Sequence, residues 1–215
     1  MFPLRDTKSA GIFPFWIITI VAVNVFVFLL EMLAASPEEF IRQYALIPAN
    51  VSFSSLATLT PFVTSQFLHG GFIHIASNMW FLWIFGDNIE ERFGFLWFPV
   101  FYLFSGIIGG LLQYVIVSDA DIPMIGASGA VAGVLGAYFA LFPRHRIKTL
   151  VLTFGFLTVV DIPASVMLFY WFFTQLFSGT ATVVSGMAGL GGVAWFAHIG
   201  GFAAGWFFGH HTKRG

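Results

Sequence analysis

Apolar runs long enough to cross a membrane dominate this chain. A helix needs about 20 apolar residues to span a bilayer, within a range of about 17–25, and residues 12–33 and 94–117 each supply such a run. Four shorter runs accompany them, at 71–85, 128–142, 162–177 and 192–209. Short helices imply local bilayer thinning or burial inside a bundle. Only 9% of the 215 residues are charged, against roughly 25% in a soluble domain. That supply cannot cover a surface in water. The expectation is an all-α polytopic membrane protein, a six-transmembrane-helix bundle, with the lipid bilayer as its solvent. One domain covers residues 1–215, with a short N-terminal segment at 1–11, a core at 12–209 and a tail at 210–215.

The nine Lys and Arg residues orient that bundle. With six spans, Arg5, Lys8, Arg92, Arg144, Arg146, Lys148, Lys213 and Arg214 fall on one side and Arg42 alone on the other. By the positive-inside rule both termini are cytoplasmic, and the expected residence is the plasma (inner) membrane of a prokaryote. The first run is too long for a signal-peptide core, although Ala34-Ala35-Ser36 follows it. A net charge of −1 gives no electrostatic footprint for nucleic acid. The chain has no cysteine, which excludes disulfides, thiol chemistry and cysteine-ligated metals. Residues 147–160 are apolar but broken by Gly155, and are expected to lie along the cytoplasmic interface, with Pro163 in the first turn of the next span. The connection 34–68 is expected on the outer surface, partly helical around 37–44.

Polar residues inside such a chain need a reason, because an unpaired buried polar group costs several kcal/mol. Ser128, in Gly126-Ala127-Ser128-Gly129-Ala130, opens the fourth run. His198, in Ala197-His198-Ile199-Gly200-Gly201, lies about six residues into the sixth. Both runs start on the outer side. A loop over 118–127 that dips inward brings the two to one depth, where Ser128 is a candidate nucleophile and His198 its base. Gly129 and Gly133 on one run, and Gly201 and Gly205 on the other, recur every fourth residue and let two helix backbones approach closely. His74 and Asn78, four apart on the second run, share a helix face. With the backbone N–H of Ser128 they are candidate donors to the oxyanion of an acyl-transfer reaction. A bland reading makes Ser128 an N-cap and leaves His74 and Asn78 bonded to nearby backbone.

His69 is read as structural. Asn24, Gln113 and Gln175 are read as interhelical hydrogen bonders. The histidines lack an HExxH pattern and no carboxylate lies within an outer-half span, so no metal and no cofactor are expected. Asp119 and Asp121 are the only acids within reach of Ser128, and their loop favours water. A two-residue serine–histidine pair without a carboxylate is therefore expected.

The motifs Phe67-Leu68-His69-Gly70-Gly71, His74 with Asn78, Gly86-Asp87 with Glu90-Glu91-Arg92-Phe93-Gly94, Gly126-Ala127-Ser128-Gly129, and Ala197-His198-Ile199-Gly200-Gly201 with Gly205 resemble, in this order, the rhomboid family of intramembrane serine proteases. The resemblance implies a Ser128–His198 catalytic dyad, an oxyanion hole from His74, Asn78 and the Ser128 backbone, and entry of substrate between the second and fifth spans. The implied partners are other transmembrane proteins, cut near the outer side of the membrane at small residues. No feature specifies an oligomeric state. Two departures stand out. The Trp-Arg pair common in the family's first outer loop is absent before Phe67, and Ala132 stands where some members stack a tyrosine on the catalytic histidine. Two other functions compete. A catalytically inactive relative that binds membrane clients typically lacks the serine or the histidine, whereas both are present. A small channel or transporter calls for midplane charge, which the spans lack.

Overall fold

Helices fill the apolar runs in the computed structural model, which describes residues 1–8, 10–153 and 155–212. Lys213 and Arg214, part of the charge asymmetry above, lie outside the described residues. The chain starts with strand β1 (Phe2–Asp6). The long helix α1 (Phe15–Leu33) follows, then the short helices α2 (Pro37–Tyr44), α3 (Leu56–Leu59) and α4 (Pro61–Thr64), and then α5 (Phe72–Phe93), α6 (Trp97–Ile116) and α7 (Ser128–Leu141). Strands β2 (Arg146–Thr153) and β3 (Phe156–Pro163) lead to α8 (Ala164–Val184) and α9 (Trp195–Thr212).

Three of these helices, α1, α6 and α8, are long and apolar enough to cross a membrane. Helix α5 runs past the expected end at 85 into Asp87, Glu90, Glu91 and Arg92, so its last two turns are charged. Helix α7 has 14 residues, roughly 21 Å at 1.5 Å per residue, which is less than the roughly 30 Å hydrocarbon core. Its shortness goes with its position. Gly129 to Tyr138 are all buried, and α5, α6, α8 and α9 pack around it. Helix α9 starts three residues later than the sequence implies, because Gly191 and Gly192 take the left-handed φ values +105° and below that suit glycine. It also runs on to Thr212, which puts His210 and His211 in its last turn rather than in a tail.

Helices α7 and α9 meet backbone to backbone. A methyl group on Gly201 would overlap the Gly129 carbonyl, one on Gly205 the Gly133 carbonyl, and one on Gly209 would lie 3.0 Å from Ala137 Cα. These pairs advance together in steps of four residues, so the two helices run parallel, with α9 beginning about a turn and a half ahead of α7. Gly136 lies against the Phe202 carbonyl in the same seam.

The all-α expectation needs correction. Residues expected as an interfacial segment form an antiparallel hairpin, β2–β3, turned at Gly155 (φ +84°), and β1 completes a three-stranded sheet in the order β1-β2-β3. Pro163 ends β3 and precedes α8, outside its first turn. Eight-residue runs rich in Thr, Val, Leu and Ile suit strands, and β1, some 140 residues away, supplies the partner edge. The sheet sits at the end of the bundle where α7 finishes. Trp80 Nε1 donates to the Pro3 carbonyl at 2.8 Å, Asn88 Nδ2 donates to Asp6 at 3.0 Å, and the Tyr138 hydroxyl also donates to Asp6.

Among the described residues, helices α1 to α8 start without a side-chain cap, and at the starts of α1 and α9 another helix supplies the acceptor. The buried carboxylate of Glu90 accepts the N–H groups of Trp16 (2.9 Å) and Ile17 (3.1 Å) at the start of α1. Gln113 Oε1 on α6 accepts those of Phe196 (3.0 Å) and Ala197 (3.3 Å) at the start of α9. First-turn N–H groups otherwise lack a partner. Gln113 is therefore the interhelical bonder the sequence implied. Asn24 is not: its amide donates to Ile20 O, four residues back on its own helix.

The glycine seam gives a stability test. Gly201→Ala should cost about 1–3 kcal/mol, the usual range for overpacking, because the new methyl meets a carbonyl oxygen rather than a movable side chain. Gly70→Ala, whose methyl would find Ile125 Cδ1 at an ordinary 3.5 Å, should be close to neutral. Reversible unfolding of both variants in detergent measures the difference, and equal stabilities would count against the seam as a tight contact.

Candidate active site

The parallel seam sets Ser128 and His198 side by side. Ser128 is the first residue of α7, and the N-cap position belongs to Ala127, which makes no side-chain cap. The N-cap reading of Ser128 is therefore corrected. His198 lies in the first turn of α9, roughly 4.5 Å below its start at 1.5 Å per residue, not the six residues down that the apolar run implied. Both side chains are half-buried and line one cavity of about 540 Å³, together with His74, Ser77 and Asn78 of α5. No direct hydrogen bond joins the Ser128 hydroxyl to the His198 ring. Such contacts often tighten only when substrate arrives.

Three features shape the side of the cavity next to Ser128. Gly126 has φ +121°, and a methyl group there would come 2.7 Å from His74 Nε2. Only glycine fits that backbone and leaves the ring its place. Asn78 is buried, and its side-chain amide nitrogen has no partner among the described residues. The expectation that it merely bonds nearby backbone fails for this donor. The backbone N–H groups at the start of α7 are the third source of donors. An unpaired buried donor is costly unless something else uses it.

His69 is fully buried, edge-on to His74 with ring centroids 5.1 Å apart. Burial, and after it the nearby His74, hold its imidazole down to about 4, so at pH 7 it is neutral and suited to packing. Its backbone N–H donates to the buried Glu31 of α1 at 3.1 Å. Among the described residues, no group of three His, Cys, Asp or Glu could hold a metal ion.

The His198 ring is held by an amide partner and by ring packing. His198 Nδ1 lies 2.8 Å from Gln175 Oε1 on α8. Trp171 and Trp195 flank the ring, with centroids 5.9 and 6.3 Å away. Gln175 was legible as an interhelical bonder but not as the partner of His198, since 23 residues and a loop separate them. Sequence reasoning also missed the glycine-rich connection between α8 and α9, whose Ala188, Gly189, Gly191 and Gly192 line the cavity. Several glycines just before a histidine-bearing helix were the available signal.

The segment over 34–68, which lacks a Trp-Arg pair, is anchored by other bonds. Leu46 and Met124 exchange two backbone hydrogen bonds (3.1 and 2.8 Å), and Gly126 N–H donates to Ser65 O at 2.9 Å. Thr64 Oγ1 donates to Tyr44 O (2.7 Å), and Gln66 Nε2 donates to Phe62 O and Leu103 O. Arg42 pairs with Asp121 at 2.6 Å. The loop before Ser128 is thus stitched to the segment over 34–68.

The model of the Rhomboid domain matches residues 56–214. The chain belongs to the rhomboid family. Among curated relatives, the presenilin-associated rhomboid-like protein, mitochondrial, of Bos taurus is 33% identical over 135 residues, which cover 62% of this chain and 34% of that protein. The Homo sapiens protein of the same name is likewise 33% identical over 135 residues. RHOMBOID-like protein 6, mitochondrial, of Arabidopsis thaliana is 31% identical over 150 residues, 68% of this chain and 41% of that protein. The matched regions therefore span about a third to two fifths of these relatives' own lengths.

Among the described residues, no carboxylate is a partner of the His198 ring. Asp121 is engaged with Arg42, and Asp119 is exposed. Serine–histidine chemistry at this site should survive Asp119→Asn, Asp121→Asn and the double change with rates within a few-fold of the starting protein. Losing the acid of a triad costs about 10⁴-fold. Cleavage assays on the three variants decide between these outcomes.

Proposed function

We propose that this rhomboid-family chain is an intramembrane serine endopeptidase of six membrane helices that hydrolyses a peptide bond in or near the transmembrane segment of other membrane proteins, toward the extracytoplasmic side. The observation that carries the proposal is the convergence in one cavity of a half-buried serine at a helix start, a histidine on the adjoining parallel helix, and a buried amide donor without a partner.

In this reading Ser128 Oγ attacks the scissile carbonyl while His198 Nε2 takes the hydroxyl proton. Asn78 Nδ2, the His74 ring and the Ser128 backbone N–H donate to the oxygen as it gains negative charge. Donors already in place need not reorganise during the reaction, and one of them is often worth about 2.7–4 kcal/mol. The protonated His198 then gives its proton to the leaving amine, and the carbon–nitrogen bond breaks. Water enters, loses a proton to His198, and attacks the acyl-serine ester. Ser128 leaves with that proton, and the product carboxylate is released.

Helices α5 and α8 both pack on α7 and barely on one another, which supports lateral entry of a substrate helix between them. Orientation is proposed on the charge asymmetry, with both termini cytoplasmic in a plasma membrane. The word mitochondrial in the relatives' names describes those proteins and names the alternative compartment.

A fluorophosphonate probe tests the nucleophile. Ser128 should be labelled in purified protein, and Ser128→Ala should lose both the label and the cleavage of membrane substrates while keeping its unfolding midpoint. Cleavage retained by cleanly purified Ser128→Ala would sink the proposal and favour a client-binding role.

The oxyanion assignment is tested separately. Asn78→Ala should lower kcat by up to about 10²–10³-fold with little change in KM. A raised KM at constant kcat would make Asn78 a substrate-positioning group instead.

A further inference from the structure

We infer that Gln175 is a positioning residue for the base: its side-chain oxygen holds the Nδ1–H of His198 and so keeps the unprotonated Nε2 available to Ser128. The inference rests on the protease reading above and adds a third, uncharged member to the serine–histidine pair.

The orientation of the amide follows from its other contacts. Gln175 Nε2 lies 3.1 Å from the Trp171 carbonyl oxygen and 3.1 Å from Thr174 Oγ1. Thr174 spends its own proton on the Trp171 carbonyl, at 2.6 Å, so its oxygen is left to accept. Turning the amide over would set its oxygen against a carbonyl oxygen. The nitrogen therefore faces Trp171 and Thr174, and the oxygen faces His198 at 2.8 Å. An amide oxygen only accepts, so His198 Nδ1 carries the hydrogen. A neutral imidazole has one N–H, and Nε2 is then the free lone pair that a general base needs.

The surroundings hold this arrangement in place. Gln175 is 6% exposed, so water hardly competes for its oxygen. Trp171 serves twice, its carbonyl anchoring the amide and its ring flanking His198. Because Gln175 stands on α8 and Ser128 on α7, the direction of the base depends on the placement of three helices, α7, α8 and α9. A neutral amide fixes the ring without lending it charge. Its loss should therefore cost less than the roughly 10⁴-fold that follows loss of a triad carboxylate.

The test uses the full-length chain in detergent micelles with ¹⁵N-labelled histidine, the His198 signals being assigned with a His198→Gln variant. In the starting protein His198 should show a protonated Nδ1 and an unprotonated Nε2. Gln175→Leu and Gln175→Met, two apolar replacements so that one folded variant suffices, should lose that tautomer preference and lower kcat by roughly 10- to 100-fold with KM nearly constant. Gln175→Glu, which restores an acceptor of the same reach, should recover the tautomer and most of the rate. A folded Leu or Met variant that keeps the Nδ1–H tautomer overturns the inference, as does one that changes KM alone. Absence of fluorophosphonate labelling in the starting protein overturns the protease reading instead, and the tautomer measurement still decides the role of Gln175.

Discussion

The contact between two carbonyl oxygens and two glycine α-carbons organises this molecule. Where α9 crosses α7, Gly201 and Gly205 leave no room for even a methyl group beside the carbonyls of Gly129 and Gly133. Lipid tails are as apolar as leucine side chains, so helices in a bilayer gain little from hydrophobic burial against one another and associate through close packing and polar contacts. The seam supplies the first of these. It also sets the relative height of the two helices within a fraction of a turn, and Ser128 and His198 inherit that setting because Ser128 adjoins Gly129 and His198 lies three residues before Gly201.

A second consequence concerns polar groups. Three buried polar side chains in this bundle accept from backbone at or near the starts of other helices. Glu90 accepts from the start of α1, Gln113 from the start of α9, and Glu31 from the backbone that leads into α5. Each removes an unsatisfied donor from an apolar setting, which would otherwise cost several kcal/mol. Among the described residues seven buried side-chain atoms lack a partner, and Asn78 Nδ2 is the one that belongs to a residue lining the cavity of Ser128 and His198.

The sequence disclosed the helices through the length of their apolar runs, and the site through polar residues that lipid would not tolerate. Ser128, His198, His74 and Asn78 could be grouped because their spacing puts them near helix starts on one side. The sheet escaped because an apolar run of Thr, Val and Leu beside a membrane reads equally as an interfacial segment, and pairing with residues 2–6 leaves no local trace. Helix ends slipped where left-handed glycines, rather than the end of hydrophobicity, decide them, as at Gly191 and Gly192. The partner of His198 was out of reach for another reason. A hydrogen bond between residues 23 apart on different helices depends on how those helices rotate, which periodicity alone does not encode. Polar side chains left over in apolar spans, Gln175 and Gln113 among them, were nonetheless the right places to look.

The cap that Glu90 places on α1 bears on how the chain is made. Trp16 and Ile17 precede their acceptor by 74 and 73 residues. At synthesis rates of about 5–20 residues per second, the first helix exists for roughly 4–15 s before that carboxylate has been translated. During that interval its leading amides must stay in contact with water or lipid headgroups, which holds the start of α1 at the membrane surface. Arrival of α5 then releases that tether, so docking of the two helices belongs to a late stage of biogenesis, after the intervening segment over 34–71 has been made.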